Sequence, residues 1–524
     1  MPEKSIIIIG AGLAGLAAGS YGQMNGYRTQ IFEHHSEPGG VATAWQNKEY
    51  LIDGGIHYLM GHKPGQTVNH VYRELGIFEK RDYPDLETFV HFVDEITGQR
   101  ISFSNDLDRL SADLKRLAPA DAKMIDGFIA GSRAMQKADL FGLMETPPEM
   151  MGLLGPIKQL WGMRRVLRYF GPEFNQSMEQ YARAAKDAGL RRIFENLFLP
   201  EVPVWFVMLI LGLLANRQLG LLTKSCTDFV ASMEERYNQL GGQVIYNSTV
   251  KEVIVENDRA VGVRLADGSE RRADVVVSAG DGHSTIFKLL GGKYVDRKLK
   301  ERFEKWKIIS PIVTISYGVN REFKGEDPLR FLFLKTPLMI GDVTLTGFPI
   351  RLFNYSNHFA PAGKTVVQAL LHTDFNWWNE LQNDRPRYDV AKKELAAKVL
   401  ERLEPHYPGL TARVEVTDVA TPYTTWRYTL NREGAFMGWI PTPQSMRAQV
   451  KKTLPGLENF YMAGQWVMPG GGVPPCFYSG RQVIQLLCKR DGKKFQLVIR
   501  KLCDEVSLSP ETKTMVRPDV RHSL

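Results

Sequence analysis

The sequence of 524 residues has little cysteine and lacks an apolar run long enough to cross a membrane. The four cysteines are Cys226, Cys476, Cys488 and Cys503. They form no C-x-x-C pair and no metal-ligand pattern, which predicts no metal site and indicates a reducing, cytoplasmic compartment without a disulfide framework. The longest apolar run, residues 202–215, would span about 21 Å as a helix, short of the roughly 30 Å hydrocarbon core of a bilayer.

The excess of positive over negative charge is also small. The 66 basic residues oppose 58 acidic ones, a net charge of +8. Because no dense basic footprint is present, we expect no nucleic acid partner, and acidic lipid headgroups explain the excess equally well. The composition, 44% hydrophobic and 24% charged, excludes a collagen, a coiled coil and a disordered chain, and the length predicts two or three domains.

A glycine-rich turn follows the first apolar segment and opens a helical pattern. Its G-x-G-x-x-G residues are Gly10, Ala11, Gly12, Leu13, Ala14 and Gly15. The first glycine permits the tight turn, the second lets the backbone approach a pyrophosphate, and the third lets helix and strand pack closely. The helix N-terminus then offers N–H groups to the phosphates. Glu33 ends the next predicted strand, where a carboxylate accepts from ribose hydroxyls. The pattern predicts FAD or NAD rather than NADP.

The same alternation of strands and helices returns twice, over residues 227–278 and 459–488. Between these segments, residues 100–220 predict helices rich in Met, Leu and aromatics, and residues 300–445 predict mostly strands. The last residues, 505–524, are polar without apolar periodicity and predict a disordered tail.

Further glycine clusters follow the predicted strands. They are Pro38-Gly39-Gly40, Asp53-Gly54-Gly55, Ala463-Gly464, the run from Pro469 to Pro474, and Ser479-Gly480. Glycine lets the backbone approach a flat ring, and a helix N-terminus directed at that ring would stabilise negative charge on a reduced flavin. From spacing alone, plain loops and helix starts explain these clusters equally well.

Taken together, these motifs resemble those of the phytoene desaturase-like flavoproteins, which include carotenoid desaturases, carotenoid cis–trans isomerases and retinol saturase. The segment from Thr421 to Trp439, with Arg427-Tyr428-Thr429, is most similar to the isomerase and saturase branch. The resemblance implies an α/β fold of amine-oxidase type. A Rossmann-like FAD-binding domain is built from residues 1–90, 225–290 and 446–495, and an α+β substrate domain is inserted as residues 91–224 and 291–445.

The resemblance also implies which residues hold FAD. The ADP half would contact Gly10, Ala11, Gly12, Leu13, Ala14, Gly15 and Glu33, with Gly39, Gly40 and Val41 near the pyrophosphate, Val250 near the adenine, and Gly464, Gly472, Val473 and Pro474 along the flavin. Many relatives have Arg where this chain has Val41, so one phosphate or flavin contact is missing or supplied elsewhere. The usual Asn-Ala-Asp is Ala279-Gly280-Asp281 here, which weakens a role for that position.

No second G-x-G-x-x-G follows a predicted strand. A separate nicotinamide-binding module is therefore not expected, and a quinone or another redox protein is a plausible electron partner. His57 is the predicted catalytic residue, because an imidazole beside the flavin could give or take the proton that accompanies hydride transfer. A structural histidine is the alternative. Cys476 follows two prolines at a helix start, where flavin attachment through a thiolate is conceivable but a packed small residue is the simpler interpretation.

Residues 156–171 mix aromatic side chains with Arg164, Arg165 and Arg168, and residues 202–215 are almost wholly apolar. These stretches predict either a peripheral membrane patch or a buried core helix beside a solvated face. The family resemblance favours membrane contact.

The predicted function is FAD-dependent redox at carbon–carbon double bonds of an apolar isoprenoid or polyene lipid. Desaturation, saturation and cis–trans isomerisation all remain open. The alternatives are a flavin amine oxidase and a flavoprotein that binds lipid without turnover.

Overall fold

The computed structural model of the protein describes residues 3–78, 83–152 and 162–498. The tail predicted to be disordered, residues 505–524, lies outside the described residues. Within the described ranges, no helix combines the length and the apolar character needed to cross a membrane.

A five-stranded parallel sheet joins the three segments that carry the glycine motifs. Its order is Phe460–Met462, Val275–Ser278, Ser5–Ile9, Arg28–Phe32 and Gln243–Ile245. The central strands are short runs of Ile and Val, which is typical of parallel strands covered on both faces. The predicted α/β fold with a three-segment Rossmann-like domain is confirmed.

The helix Leu13–Met24 packs against two others, Cys226–Gln239 and Val473–Arg490. The contact with Val473–Arg490 depends on one glycine. A Cβ on Gly480 would lie 2.7 Å from the Ala14 carbonyl oxygen and from the Ala18 nitrogen. The last segment of the chain therefore reaches the first helix closely enough to place its own N-terminus beside the glycine-rich turn.

Smaller sheets border the parallel one. A three-stranded antiparallel sheet consists of Val250–Glu256, Arg259–Leu265 and Glu270–Arg272. Two-stranded pairs join Ala44–Asn47 to Tyr50–Asp53 and Leu59–Met60 to Leu219–Gly220. Asn257 and Asp258 both have positive φ, which the tight two-residue hairpin turn requires.

A seven-stranded sheet forms the opposite side of the molecule from the parallel sheet's glycine loops. Its order is Val414–Ala420, Ile312–Val319, Thr365–His372, Val343–Leu352, Leu329–Ile340, Thr88–Asp94 and Arg100–Ser104. The expectation of helix from residue 100 is wrong at its start, because Arg100–Ser104 pairs antiparallel with Thr88–Asp94. Phe92 and Phe103 are buried there, in a hairpin whose two strands are neighbours in the sequence.

One face of this sheet is covered by the helices Phe375–Leu381 and Arg385–Leu403. In the strand Thr365–His372, side chains alternate between the face covered by the helices and the opposite face. Val367, Ala369 and Leu371 pack in the core beneath those helices, whereas Leu370 and His372 on the other face line a cavity.

The helices of the inserted region are Leu107–Leu117, Ala122–Met135, Met178–Arg183, Ala188–Asn196 and Val204–Ala215, with short helical turns at Phe141–Met144 and Leu167–Phe170. Both turns and the helix Val204–Ala215 contribute residues to the far wall of that cavity. The helix Val68–Glu74 precedes this region in the chain. The apolar helix Val204–Ala215 is almost entirely buried and packs on Ala122–Met135. Gly212 permits this contact, because a Cβ there would lie 2.8 Å from the Ser132 carbonyl oxygen. Membrane contact through this helix was the wrong interpretation, and it is a core helix.

The remaining helices lie around the parallel sheet and the cavity rim. They are Gly282–Ser284, Arg297–Lys305, Pro422–Thr429 and Pro443–Arg447, with a π-helical turn at Thr285–Leu289.

Candidate active site

A cavity of about 900 Å³ lies between the two large sheets. On one side it is bounded by the loops that follow the parallel strands, including Gly10, Glu33, Ala279 and Gly464. Ligands of open α/β sheets bind at this carboxyl edge of the strands. The other side is formed by the seven-stranded sheet and the inserted helices.

The glycine-rich turn has the geometry that the motif predicts. Gly10 has φ +96°, and a Cβ on Gly15 would lie only 1.9 Å from the Gly10 carbonyl oxygen. Gly12 is the N-cap of the helix Leu13–Met24, with no side-chain cap and no acidic residue in the first turn. The first-turn N–H groups therefore remain available to a phosphate on the cavity side.

The second glycine loop lies against the first. The Gly39 N–H donates to the Ala11 carbonyl oxygen at 3.0 Å. Gly40 has φ +61°, and a Cβ there would lie 3.7 Å from the Gly12 Cα. The two loops form one cradle, walled by backbone atoms rather than by side chains.

Glu33 lies in this cradle and is 7% exposed. Its Oε2 accepts from the Ala11 N–H at 2.6 Å and its Oε1 accepts from the His35 N–H at 2.9 Å. Two backbone donors thus hold the carboxylate in one orientation, and each oxygen keeps a further lone pair that can accept from a ribose hydroxyl.

The third segment places a helix N-terminus at the cavity. Gly470, Gly471 and Gly472 all have positive φ, and Gly472 is the N-cap of Val473–Arg490, again without a side-chain cap. Gly464 is fixed to this helix, because its N–H donates to the Ser479 Oγ at 2.7 Å. The arrangement can stabilise a negatively charged ring system beside the helix start.

Most of the residues predicted to bind the cofactor line the cavity. They are Gly10, Gly12, Leu13, Ala14, Glu33, Gly39, Gly40, Val41, Gly464, Gly472, Val473 and Pro474. Ala11 acts through its backbone on Glu33, and Gly15 packs beneath the turn. Val250 does not line the cavity, since it packs in a core cluster with Phe32 and Val263. Its contact with an adenine stays a prediction.

The departure from the usual Asn-Ala-Asp at Ala279 and Gly280 leaves Asp281 with a structural role. Asp281 caps the helix Gly282–Ser284 through the Ser284 N–H at 2.7 Å and accepts from the Arg432 N–H at 3.0 Å, so it anchors the segment that carries Asn431 to the cofactor domain. Val41 brings no cation to the cradle. Among the described lining residues, Arg447 is the only lysine or arginine.

His57 also lines the cavity. The preceding turn is held by the Ile56 N–H, which donates to the Cys226 Sγ, and by the Asp53 carboxylate, which accepts from the Gly55 and Cys226 N–H groups at 3.0 and 2.7 Å. The ring surface that remains accessible faces the cavity interior. Burial in the molecule, reinforced by the nearby Arg351 guanidinium, therefore places the pKa of His57 well below 6.5. The imidazole is neutral at pH 7 and able to accept a proton.

Cys476 lines the same cavity near the helix start. Burial raises the pKa of its thiol to about 12, so the thiolate that flavin attachment needs is scarce at neutral pH. The simpler interpretation, a packed small residue, agrees with this environment.

The rest of the cavity wall is mostly apolar, with polar side chains interspersed at Asn175, Asn196, Thr344, Thr346, Thr429, Asn431 and Gln465. It includes Phe89, Leu140, Phe141, Leu143, Phe170, Leu197, Phe198, Trp205, Phe206, Leu209, Ile312, Leu329, Phe331, Leu370, Phe436 and Met437. Within the described part of the chain, the only carboxylate on the wall is Glu33, and it belongs to the nucleotide cradle.

Several polar residues of the site were missed from sequence, and His372 and Arg351 are two of them. His372 lines the cavity, and burial lowers its pKa. Arg351 is buried beside His57 and bonds to Gln368. Alternation along the strand Thr365–His372 places residues 368, 370 and 372 on one face, a signal that could have marked Gln368 and His372 as polar residues facing inward.

The family model for flavin containing amine oxidoreductases matches residues 13–487. The chain belongs to this family. It is a flavin-dependent oxidoreductase and its cofactor is FAD. The backbone cradle, the two uncapped helix N-termini and the oriented Glu33 carboxylate fit an FAD molecule, which has a pyrophosphate, a ribose and a flat ring to be bound.

Curated relatives of this flavoprotein are similar over most of their length. A prolycopene isomerase of Arabidopsis thaliana is 24% identical over 512 residues, covering 90% of this chain and 81% of that protein. A neurosporene-forming phytoene desaturase of Rhodobacter capsulatus is 26% identical, covering 92% and 93%.

Solved structures share the fold. An oxidoreductase from Methanosarcina mazei gives a TM-score of 0.59 at 17% identity, covering 92% of this chain and all of that one. Putrescine oxidase bound to putrescine gives 0.61 at 13% identity, covering 93% and 99%.

Proposed function

We propose that this flavoprotein catalyses redox chemistry at carbon–carbon double bonds of an apolar polyene or isoprenoid lipid. One observation carries the proposal: a long apolar cavity continues directly from the FAD cradle to the seven-stranded sheet. The volume of about 900 Å³ includes the FAD cradle, and the part beyond the cradle is walled mainly by apolar side chains. Relatives named for phytoene and prolycopene support the same substrate class.

FAD, when bound, supplies hydride transfer in either direction. The residues of the chain supply what surrounds that transfer. The apolar wall excludes water, and the glycine loops orient the cofactor against it. His57, neutral at pH 7, accepts the proton lost from the carbon adjacent to the one that gives up hydride.

An amine oxidase is the second candidate, and one observation speaks against it. An amine substrate is bound as a cation, and a carboxylate near the flavin would be its strongest partner. Among the described lining residues no carboxylate is available outside the nucleotide cradle.

The test is anaerobic mixing of the FAD-loaded protein with phytoene, prolycopene or putrescine. The expected result is conversion of a polyene, followed by chromatography of the products and by the flavin absorbance. Reduction of the flavin by putrescine alone would overturn the proposal in favour of the amine oxidase. Binding of polyenes without any conversion, in either flavin redox state and with a quinone present, would leave a lipid-binding flavoprotein.

A matched pair of variants ties conversion to the cavity. Leu370→Trp fills part of the apolar space, so polyene conversion should fall at least tenfold while FAD content is retained. Val390→Trp adds slightly more bulk at a helix position that is 52% exposed and should change neither polyene conversion nor FAD content. Equal activity of the two variants would place the substrate elsewhere.

We also propose a peripheral membrane contact through residues 162–168, since the lipid substrate is delivered from a bilayer. Arg164, Arg165 and Arg168 are exposed there together with Leu167, and Phe170 of the same segment lines the cavity. Residues 156–161 of the predicted patch lie outside the described residues. Arginines attract anionic headgroups within a Debye length.

Replacing the three arginines by Ser should reduce flotation with phosphatidylserine-rich vesicles, most clearly at low salt. The control carries the same loss of charge at exposed arginines elsewhere, namely Arg259, Arg271 and Arg297. If the control variant loses flotation equally, net charge rather than this segment mediates binding.

A further inference from the structure

A small side chamber adjoins the large cavity at His57. Its volume is about 20 Å³, enough for one or two water-sized groups but not for a ring. His57, Tyr58 and Leu329 line both spaces. The chamber is therefore a lateral extension of the substrate cavity rather than a separate site.

Arg351 forms one wall of the chamber and is 6% exposed. Its Nη1 donates to the Gln368 Oε1 at 3.0 Å, and its guanidinium carbon lies 4.6 Å from the centre of the Phe353 ring. The Gln368 amide is itself fixed, because its Nε2 donates to the Asp53 carbonyl oxygen and to the Ser316 Oγ. A guanidinium is thus held rigidly at the chamber wall.

No carboxylate lies within ion-pair distance of Arg351 in the described part of the chain, although it is among the most buried cations there. Asp53, which Gln368 links to Arg351, has both carboxylate oxygens engaged by backbone N–H groups. Burying an arginine without a carboxylate is unfavourable unless other acceptors satisfy its five N–H donors.

The other polar walls supply no negative charge. Burial raises the pKa of both Tyr58 and Tyr355, so their phenols stay protonated, and His57 is neutral at pH 7. The chamber therefore offers a cation and neutral hydroxyl groups to whatever enters it, a donor set that suits an oxygen acceptor.

We propose that the substrate carries an oxygen substituent at one end and that Arg351 binds this oxygen in the side chamber. This inference rests on the proposed lipid redox function and narrows its substrate class from hydrocarbon polyenes to oxygenated ones. A carboxylate is the best match to a guanidinium, and a carbonyl or hydroxyl oxygen uses the same donors. Anchoring one end would also determine which double bond lies beside His57.

The test compares three fluorescent polyenes of equal chain length: parinaric acid, the corresponding alcohol and the corresponding hydrocarbon. Equilibrium binding to the FAD-loaded wild-type protein at pH 7.5 should favour the acid over the hydrocarbon at least tenfold, with the alcohol between them. Equal affinities for all three would overturn the proposal and leave the chamber as a water site.

Variants of two buried arginines test whether Arg351 causes the preference for the acid over the hydrocarbon. In Arg351→Met the acid should lose its advantage while the hydrocarbon binds as before, and Arg351→Lys should restore part of it. Arg302→Met removes another buried arginine, one that donates to the Gln449 carbonyl oxygen and does not line either cavity, and should keep the preference. Preference retained in Arg351→Met, with flavin content intact, would contradict the assignment.

The binding test separates this inference from the proposed function. Conversion of hydrocarbon polyenes without any preference for the acid overturns the oxygen anchor and leaves the function standing. Should Arg351→Met fail to retain FAD, the wild-type affinities and the Arg351→Lys variant still decide the matter.

Discussion

The two sides of the cavity are built from different parts of the polypeptide. The cofactor side consists of glycine loops and helix N-termini, so a ligand there meets backbone N–H groups and one oriented carboxylate. The substrate side consists of side chains from a sheet and from inserted helices, and most of them are apolar. The first side can recognise phosphates and a flat ring, whereas the second recognises mainly shape and the absence of charge.

The difference also predicts how each side responds to mutation. At Gly15 and Gly39 the backbone leaves no room for an added Cβ, which would lie 1.9 and 2.5 Å from a carbonyl oxygen that has no rotamer to change. An apolar side-chain wall adapts to a substitution of similar volume at a modest loss of stability. The largest effects of substitution are therefore expected where backbone packs against backbone.

Gly15→Ala should have the largest effect. The added Cβ would overlap the Gly10 carbonyl oxygen at 1.9 Å, and the free energy of unfolding should fall by at least the upper end of the roughly 1–3 kcal/mol typical of overpacking. We expect protein without bound FAD, measured as flavin per chain after gel filtration. Gly162→Ala meets no atom within 4 Å and is the control. Normal flavin content in Gly15→Ala would show that the turn can relax.

His57→Ala should slow lipid turnover by roughly 10²–10⁴-fold per bound flavin, the range for lost general acid–base catalysis. Asparagine at this position should rescue little, because it cannot titrate. Flavin content and the rate of reduction by dithionite should stay unchanged. Poor flavin retention with normal activity per flavin would instead make His57 structural.

The pH dependence of turnover also tests whether His57 is the catalytic base. The pKa of His57 lies well below 6.5, so the neutral base persists above that pKa and is lost as the pH falls through it. The acid limb of turnover should therefore lie well below pH 6.5 in the wild type and disappear in His57→Asn. An acid limb near 6.5 that survives in the variant would assign it to another group.

Glu33→Ala should weaken FAD binding by roughly 1.5–3 kcal/mol, about 10- to 100-fold, since a charge-assisted acceptor is lost. The Ala11 N–H also loses its partner, so the turn itself becomes less ordered. Titration of the apoprotein with FAD measures the change. Glu33→Gln keeps an acceptor without the charge, so its affinity for FAD should lie between those of the wild type and Glu33→Ala. Unchanged affinity in both variants would exclude a ribose contact.

Cys476→Ser should have the smallest effect. The pKa of the thiol is raised to about 12, so no thiolate is available near neutral pH to attach the flavin. Acid precipitation should release all FAD from the wild type and from the variant. Flavin retained in the wild-type pellet would contradict this prediction.

The cofactor side was predictable because its signals are local. Gly10, Gly12, Gly15 and Glu33 lie within one β-α-β unit, and short-range sterics determine their arrangement wherever that unit forms. The strands also differ in how clearly the local sequence predicts them. Ser5–Ile9 was expected from a continuous run of Ile, and Val275–Ser278 lies within the strand expected over residues 273–278. Arg100–Ser104 was missed although its partner, Thr88–Asp94, is the preceding strand of the same hairpin.

For the helix Val204–Ala215, the local sequence pattern does not decide between a membrane surface and a protein core. Its composition suits a membrane surface and a protein core equally well, and only the packing of Gly212 against Ser132 and Met135 assigns it to the core. Burial is a property of the neighbours, and periodicity does not identify them.

By itself the sequence predicted the FAD-binding fold and the oxidoreductase family, through the resemblance of its motifs. It also predicted the two glycine loops of the cradle, because their conformation depends on backbone geometry within a few residues of a glycine. Tertiary structure alone decided the substrate side. His57 acquires its lowered pKa from burial and from Arg351, which lies 294 positions away in the chain. Arg351 in turn donates to Gln368, and the Gln368 amide donates to the Asp53 carbonyl oxygen of another strand. Electrostatic environments of this kind arise from long-range packing, and no local pattern encodes them.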